Sequence, residues 1–517
     1  MEGLPMEKQK ERSFRYDLAD AVKKCIRYLK NGRRWFNHRL IDVYSPWKMA
    51  FFGMSVIMII SVILLFIPSY TGLADDGSLS GIMSAAGLGY RAQDQEQTAG
   101  AYFVRVYLHS VESGDGVSFH IFLIKIAETI DNWFTSDNLF DVRFLALLYL
   151  ILFLPAIYLL FGEILERVRY PSEALFLIIL GILIYGDVSY ISFFNSLYPD
   201  ALAIIMLTYI LALCLSLQKE NSRMNQLSLV GLTFAGVVMT FTERCCTAVV
   251  IVLVIFCLRQ TMMDEAQIQV RVLAALTAAV LMAAAVVGAS IGESRFTQDS
   301  KLNAMTSGVL LESMNPRKSL ESFGIDSRFE LLTDTSSYAD YPLVTSGNED
   351  LVKNFYPHYD MVKLGFYYVR HPAAWISLIE LGTRAAFNIR RDYIGNYELG
   401  SGYAEAARSP WFSAFSNFKM TSAPGTIGYL IVLSISYSAL LRKKRTVLMT
   451  TRRRSIAVDS FWMAIGTGIV FTTGIVLQSG SSELARYNVI YSLCIDFVTF
   501  LFMAEILHRL NFLDTEE

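Results

Sequence analysis

Asp75 and Asp76 stand side by side in the run Gly72-Leu73-Ala74-Asp75-Asp76-Gly77, just past the first long apolar segment. A carboxylate placed there can take a proton from a hydroxyl as a general base. The same Asp-Asp-Gly run also suits a plain turn after a helix. Cations able to hold a phosphate are Arg486, Arg244 and the series Arg384, Arg390 and Arg391. Each has a structural alternative. Arg486 can pair with Glu483 or reach toward water at a membrane edge. Glu243 and Arg244 can close a hairpin as an ion pair, and Arg390–Arg391 can anchor the chain beside a membrane.

Other chemistries find little footing. His109, His120, His358 and His371 show no HxH or HExxH spacing, so no metal set is expected. The six cysteines, Cys25, Cys214, Cys245, Cys246, Cys257 and Cys494, show no CxxC pattern and imply no disulfide framework. The adjacent Cys245–Cys246 pair suits helix packing. A Walker loop, a GxGxxG after a strand and a GxSxG elbow are all missing, which argues against the corresponding ATPases, reductases and hydrolases. No cofactor is expected.

The elements that must position these residues are membrane helices. Of 517 residues, 53% are hydrophobic and 13% aromatic, far from a typical soluble composition. Spanning a bilayer takes about 20 apolar residues. Such runs fall near residues 49–68, 144–161, 173–185, 201–217, 227–241, 247–258, 272–291, 425–441, 461–477 and 489–507. That predicts an all-α polytopic protein of about ten spans. Pro171 and Ser172 read as the start and cap of the third span. The Glu243-Arg244 turn makes the fifth and sixth spans a tight hairpin, since a charged pair at the bilayer centre is costly.

Basic residues flank the first span, follow the second at Arg167 and Arg169, and cluster at Arg442–Arg445 and Arg452–Arg454. By the positive-inside rule both termini face the cytoplasm. The net charge of −2 and the loop placement of Lys and Arg favour membrane-flanking charge over a nucleic-acid surface. Residues 1–48 form a basic cytoplasmic segment too long for a cleavable signal peptide, with an amphipathic helix over 14–39. Residues 49–291 form a transmembrane core with an outer loop at 69–141, where Tyr102–His109 and Phe119–Trp133 suit helices lying along the membrane. Residues 292–424 form a small extracytoplasmic region. Residues 425–507 complete the spans, and 508–517 form a cytoplasmic tail.

The order of these parts resembles the GT-C class of membrane glycosyltransferases, whose members place an acidic residue or pair in the first outer loop. Shorter stretches are similar to bacterial glycan-biosynthesis hexose transferases: Gly72–Leu79 with Ile82-Met83, Phe193–Tyr198, Asp392–Glu398 and Glu483–Tyr487. The resemblance implies an inverting transfer, usually without a metal, and a bacterial cytoplasmic membrane as its setting. A polyprenyl-phosphate sugar would be the donor and an extracytoplasmic glycan or lipid-linked molecule the acceptor. Asp75 would match the motif's base, with Asp76 as the alternative. Arg486, Arg244, Arg391 and Arg390 would hold the donor phosphate, while Tyr198, Asn195 and Glu483 would contact substrate. A lysine expected near the fifth and sixth spans is replaced here by Glu243-Arg244. Two other readings stay open: a lipid-linked glycan polymerase or ligase centred on the large outer region, and a non-enzymatic lipid or glycan transporter. The near absence of ionisable residues inside the spans argues against transport.

Overall fold

The computed structural model describes residues 31–33, 35–40, 44–91, 100–109, 118–135, 138–168, 170–217, 222–263, 267–294, 297–337, 343–442, 451–484 and 488–513. The basic amphipathic helix expected over residues 14–39 therefore lies largely outside the described residues, as do Cys25, residues 443–450 and the last residues of the tail.

The chain is mostly helical. Its bundle is built from α1 (Pro46–Phe66), α2 (Arg143–Leu165), α3 (Pro171–Tyr185), α4 (Asp200–Ser216), α5 (Ser222–Thr240) and α6 (Arg244–Thr261), continued by α7 (Ile268–Ser294), α8 (Ile427–Arg442), α9 (Thr451–Ser479) and α10 (Val489–Leu513). Each sits on one of the expected apolar runs, shifted by a few residues. Among the described residues five helices, α1, α2, α7, α9 and α10, are long and apolar enough to cross a membrane. The number rises to seven if two bent pairs each count as one span: α3 with Val188–Phe194, and Ala414–Ser422 with α8, bent by 105°. The apolar helices at Asp200–Ser216 and Cys245–Thr261 are shorter.

Contacts define the two ends of the bundle. At one end the Trp47 indole N–H donates to Glu166 Oε1 at 2.9 Å, and Gln226 donates to Gln269 at 3.0 Å. The Ser172 N–H donates to Asn37 Oδ1 at 3.0 Å. Ser172 is thus not the cap expected of it. Tyr170 takes that position with Pro171 in the first turn, where its missing N–H removes no bond, and Asn37 serves an N–H left over by the helix start. At the other end, the Ser118 hydroxyl donates to the Thr242 carbonyl, and Ser481 binds the Ser307 carbonyl through its N–H and its hydroxyl.

That second end also carries what an all-α reading leaves out, two small sheets. Strand β1 (Thr71–Leu73) pairs antiparallel with β5 (Ile394–Tyr397), in the register Thr71↔Tyr397 and Gly72↔Asn396. Between them in sequence, β2 (Leu88–Gly89), β3 (Val106–His109) and β4 (Leu139–Asp141) form the second sheet in that order. Tyr102–His109 is therefore not a surface helix. Its second half is the central strand of this sheet, with Val106 and Tyr107 buried, because β4 offers pairing partners some thirty residues away. Phe119–Phe134 is helical, as its amphipathic pattern predicts. The region after α7 is made of short helices, among them Met361–Arg370 and Pro372–Phe387, the latter packed against α9 and α10.

Candidate active site

The acidic run is shaped by the end of α1. Carbonyls in the last turn of a helix lack intrahelical partners. Here the Thr71 hydroxyl donates to Leu64 O at 2.9 Å, and the Asn195 amide donates to Leu65 O at 3.1 Å and Thr71 O at 2.9 Å. Asn195 is fully buried and its amide group is engaged by backbone. It positions β1 and is not placed to meet a substrate, contrary to the expectation. Gly72 is required by close approach, since a Cβ there would lie 2.4 Å from the Phe103 ring and 2.6 Å from Asn195 O.

The next residues turn into the short helix Leu79–Ala86. Asp75 Oδ1 accepts the N–H groups of Gly77 at 2.8 Å and Leu79 at 3.2 Å, while its Oδ2 accepts the Tyr90 hydroxyl at 2.6 Å. Asp76 Oδ1 accepts the Ser78 hydroxyl at 2.8 Å and its N–H at 3.2 Å. Gly77 takes φ +92°, a conformation that disfavours a side chain. Both carboxylates are part-exposed.

Tyr198 joins the pair. Its hydroxyl lies 2.8 Å from Asp76 Oδ1 and 3.3 Å from Asp75 Oδ1, and it accepts the Asp76 N–H at 3.2 Å. A phenol has a single proton, so the shorter contact with Asp76 is the main donation. The ring itself is buried. His120 holds this segment from behind: its Nε2–H donates to Leu197 O at 2.6 Å, and its Nδ1 accepts the Tyr149 hydroxyl at 2.8 Å. The tautomer follows from those partners. Burial pushes the His120 pKa down to about 4, against the smaller opposing effect of the Leu197 hydrogen bond.

Three of the stretches that carry the resemblance thus meet here. Asp75–Asp76 touches Tyr198, β1 pairs with β5, and the Ala74 N–H donates to Tyr393 O at 3.0 Å. Arg105 reinforces the junction, with Nε donating to Glu398 at 2.9 Å and Nη1 to Asp141 at 2.5 Å. Burial works against its charge, but Glu398 and Asp141 outweigh it and raise the Arg105 pKa. The Tyr70 ring lies within 5.2 Å of the Arg105 guanidinium and 5.0 Å of that of Arg143.

The expected cations fare differently. Arg486 and the side chain of Arg244 lie outside the described residues. Arg390 is engaged with Asn417 Oδ1 at 3.1 Å and with the Ser409 carbonyl, so it fastens its loop. Burial, then the neighbouring Arg408, lowers its pKa. Arg391 lines a narrow recess with Phe193, Asn388, Asn488 and Val489, between the Tyr198 segment and the start of α10. Burial lowers its pKa too, though an arginine stays charged. Glu483 is buried in the turn after α9, beside Ser481 and Leu484.

Among the described residues one donor set could take a metal. Glu243, Cys245 and Cys246, at the turn between α5 and α6, bring their ligand atoms within 4.8 Å of one another. Spacing rules overlooked it because two of its donors are adjacent in sequence.

The roles of Tyr90 and His120 beside the acidic pair are not legible in the sequence, since neither stands at a diagnostic spacing from Asp75. The bundle and its apolar helices define a multi-pass membrane protein. The family model described as the YfdI N-terminal transmembrane domain matches residues 34–517, and the chain belongs to that family. No curated protein and no solved structure gives a match.

Proposed function

We propose that the protein is a membrane glycosyltransferase of GT-C type, moving a sugar from a polyprenyl-phosphate donor to an extracytoplasmic glycan or lipid-linked acceptor. The observation that carries this reading is the part-exposed Asp75–Asp76 pair, held by two phenols at the end of the bundle where the resemblance expects a base. In this reading the chain crosses a bacterial cytoplasmic membrane ten times, with both termini in the cytoplasm and the acidic pair outside.

The chemistry is a displacement. An aspartate, Asp75 by resemblance, takes the proton of the acceptor hydroxyl. The acceptor oxygen forms its bond to the anomeric carbon as the bond to phosphate breaks, and the polyprenyl phosphate leaves with the electron pair. Arg391, with Arg486 and Arg244, would stabilise the departing charge. An apolar groove of about 610 Å³ supports a lipid-linked donor. It runs between α1 and α3 past Ile60, Ile63 and Leu183 to Gly186 and Phe412. Phe412 in its lining accepts the Val188 N–H at 2.8 Å, a few residues before the segment that carries Asn195 and Tyr198.

The test is transfer by purified full-length protein from a polyprenyl-phosphate sugar. Asp75→Asn or Asp76→Asn should abolish transfer while expression and melting temperature persist. Full transfer by both single variants and by the double variant would refute the assignment.

A further inference from the structure

A second recess, of about 350 Å³, opens in the region after α7. It is lined by His358, Lys363, Arg370 and His371 over a floor of Phe323 and Tyr367, and among the described residues no carboxylate lines it. Asp360, two residues past His358, is turned to cap the helix Met361–Arg370 by accepting the Lys363 N–H at 2.8 Å. Lys363 Nζ donates once, to His358 O at 2.9 Å, which leaves two of its three protons. Among the described residues Arg370 has no hydrogen-bond or ion-pair partner. His371 donates Nδ1–H to Tyr367 O and stacks on the Tyr367 ring at 4.2 Å, leaving Nε2 for a ligand.

An independent feature adjoins the recess. The helix Met361–Arg370 exposes Val362, Phe366 and Val369 by 65%, 62% and 77%, at the i, i+4, i+7 spacing of one face. Phe366 also lines the recess. The helix stands level with the end of a candidate span: Tyr368 OH lies against Gly308, itself against Gly480, the residue that closes α9. In the helix that follows, Pro372–Phe387, the Trp375 N–H donates to Thr473 of α9 at 3.1 Å.

We propose that Met361–Arg370 lies in the membrane interface with this face among the acyl chains, and that the recess binds the phosphate head group of an anionic bilayer lipid. Apolar residues on one face and cations at its edge are what an interfacial helix requires, and the cations match the charge of the head group. The proposal does not depend on the reading of Asp75 and Asp76.

The test is native mass spectrometry of the full-length protein released from detergent with phosphatidylglycerol, phosphatidylcholine, inorganic phosphate or polyprenyl phosphate. Wild type should retain phosphatidylglycerol over phosphatidylcholine. Lys363→Ala/Arg370→Ala should weaken that retention about tenfold, with an unchanged melting temperature, since each basic residue near an anionic surface contributes measurably. Lys363→Arg/Arg370→Lys should restore it, and Phe366→Asp should weaken it without changing the response to inorganic phosphate. Equal retention of both lipids, or equal retention by wild type and the double alanine variant, would overturn the proposal. Displacement of phosphatidylglycerol by inorganic phosphate or by polyprenyl phosphate would overturn it too, assigning the recess to a soluble anion or to a substrate.

Discussion

Two groups of carboxylates sit in this molecule under opposite conditions. Asp75 and Asp76 are part-exposed and held by neutral donors, the phenols of Tyr90 and Tyr198 and nearby N–H groups. Asp496, on α10, is fully enclosed, with Lys419 Nζ at 2.5 Å from Oδ1 and the Tyr190 hydroxyl at 2.5 Å from Oδ2. Lys419 also donates to Ser492 Oγ at 2.6 Å. A short step away, Asp187 accepts from Ser189 and from the Ser416 N–H. The enclosed cluster ties Val188–Ile191 and Ala414–Ser422 to α10, and so fixes the segment that leads to Tyr198. A carboxylate locked against an ammonium is unsuited to accept a substrate proton, whereas one oriented by phenols at an open turn keeps that capacity. One group is built to react and the other to hold.

The comparison is sharpest when each group is broken in turn. Asp75→Asn or Asp76→Asn should lower transfer about 100- to 10,000-fold, the range of a general base, with little change in melting temperature. Lys419→Met should do the reverse, removing about 3–5 kcal/mol of stability by stranding a buried charge. The double variant Lys419→Met/Asp496→Leu should recover much of that loss, as both charges are gone and Tyr190 keeps Ser492 Oγ at 3.2 Å. Chemical denaturation in detergent reads the stability, and a double variant no more stable than Lys419→Met would show that the pair does not act as a unit.

Much of the bundle could be read from the chain, because a bilayer imposes the length and polarity of each helix whatever it packs against. The apolar runs, the hairpin at Glu243-Arg244 and the helix Phe119–Phe134 follow from local pattern alone. The sheets do not. β1 finds its partner in Ile394–Tyr397, more than 300 residues away, and nothing in either three- or four-residue stretch announces the other. The same limit applies to the site. Asp75, Asp76 and Tyr198 stand in distinctive runs, but Asn195 looked like a ligand contact until the structure showed its amide closing the end of α1. Arg390 likewise proved to be a loop fastener, a role decided by Ser409 and Asn417 and invisible in Ile389–Asp392.

A smaller effect tests whether His120 supports the reactive side. Its folded pKa of about 4 lies below the ordinary 6.5. The unfolded chain therefore binds more protons between those values, so stability is fully present above pH 6.5 and is lost as pH falls toward 4. The loss should be on the order of 3 kcal/mol. His120→Gln, whose amide can still donate to Leu197 and accept from Tyr149, should flatten this pH dependence while retaining most of the stability at pH 7.5. Parallel acid losses in wild type and variant would exclude His120 as the source.

The finest distinction concerns the two phenols. Tyr90→Phe removes a 2.6 Å bond to Asp75, and Tyr198→Phe removes the bridge between both carboxylates. A hydrogen bond to a charged group contributes about 1.5–3 kcal/mol, so each change should slow transfer by about 10- to 100-fold if the bond orients the base. Because Tyr198 also accepts the Asp76 N–H, its loss should be the larger of the two and should fall mainly on kcat, leaving KM for the donor nearly unchanged. An effect confined to KM would mean that the phenols hold substrate and not the carboxylates. The part-exposed pair would then be oriented by its own turn, through Gly77, Ser78 and Leu79 alone.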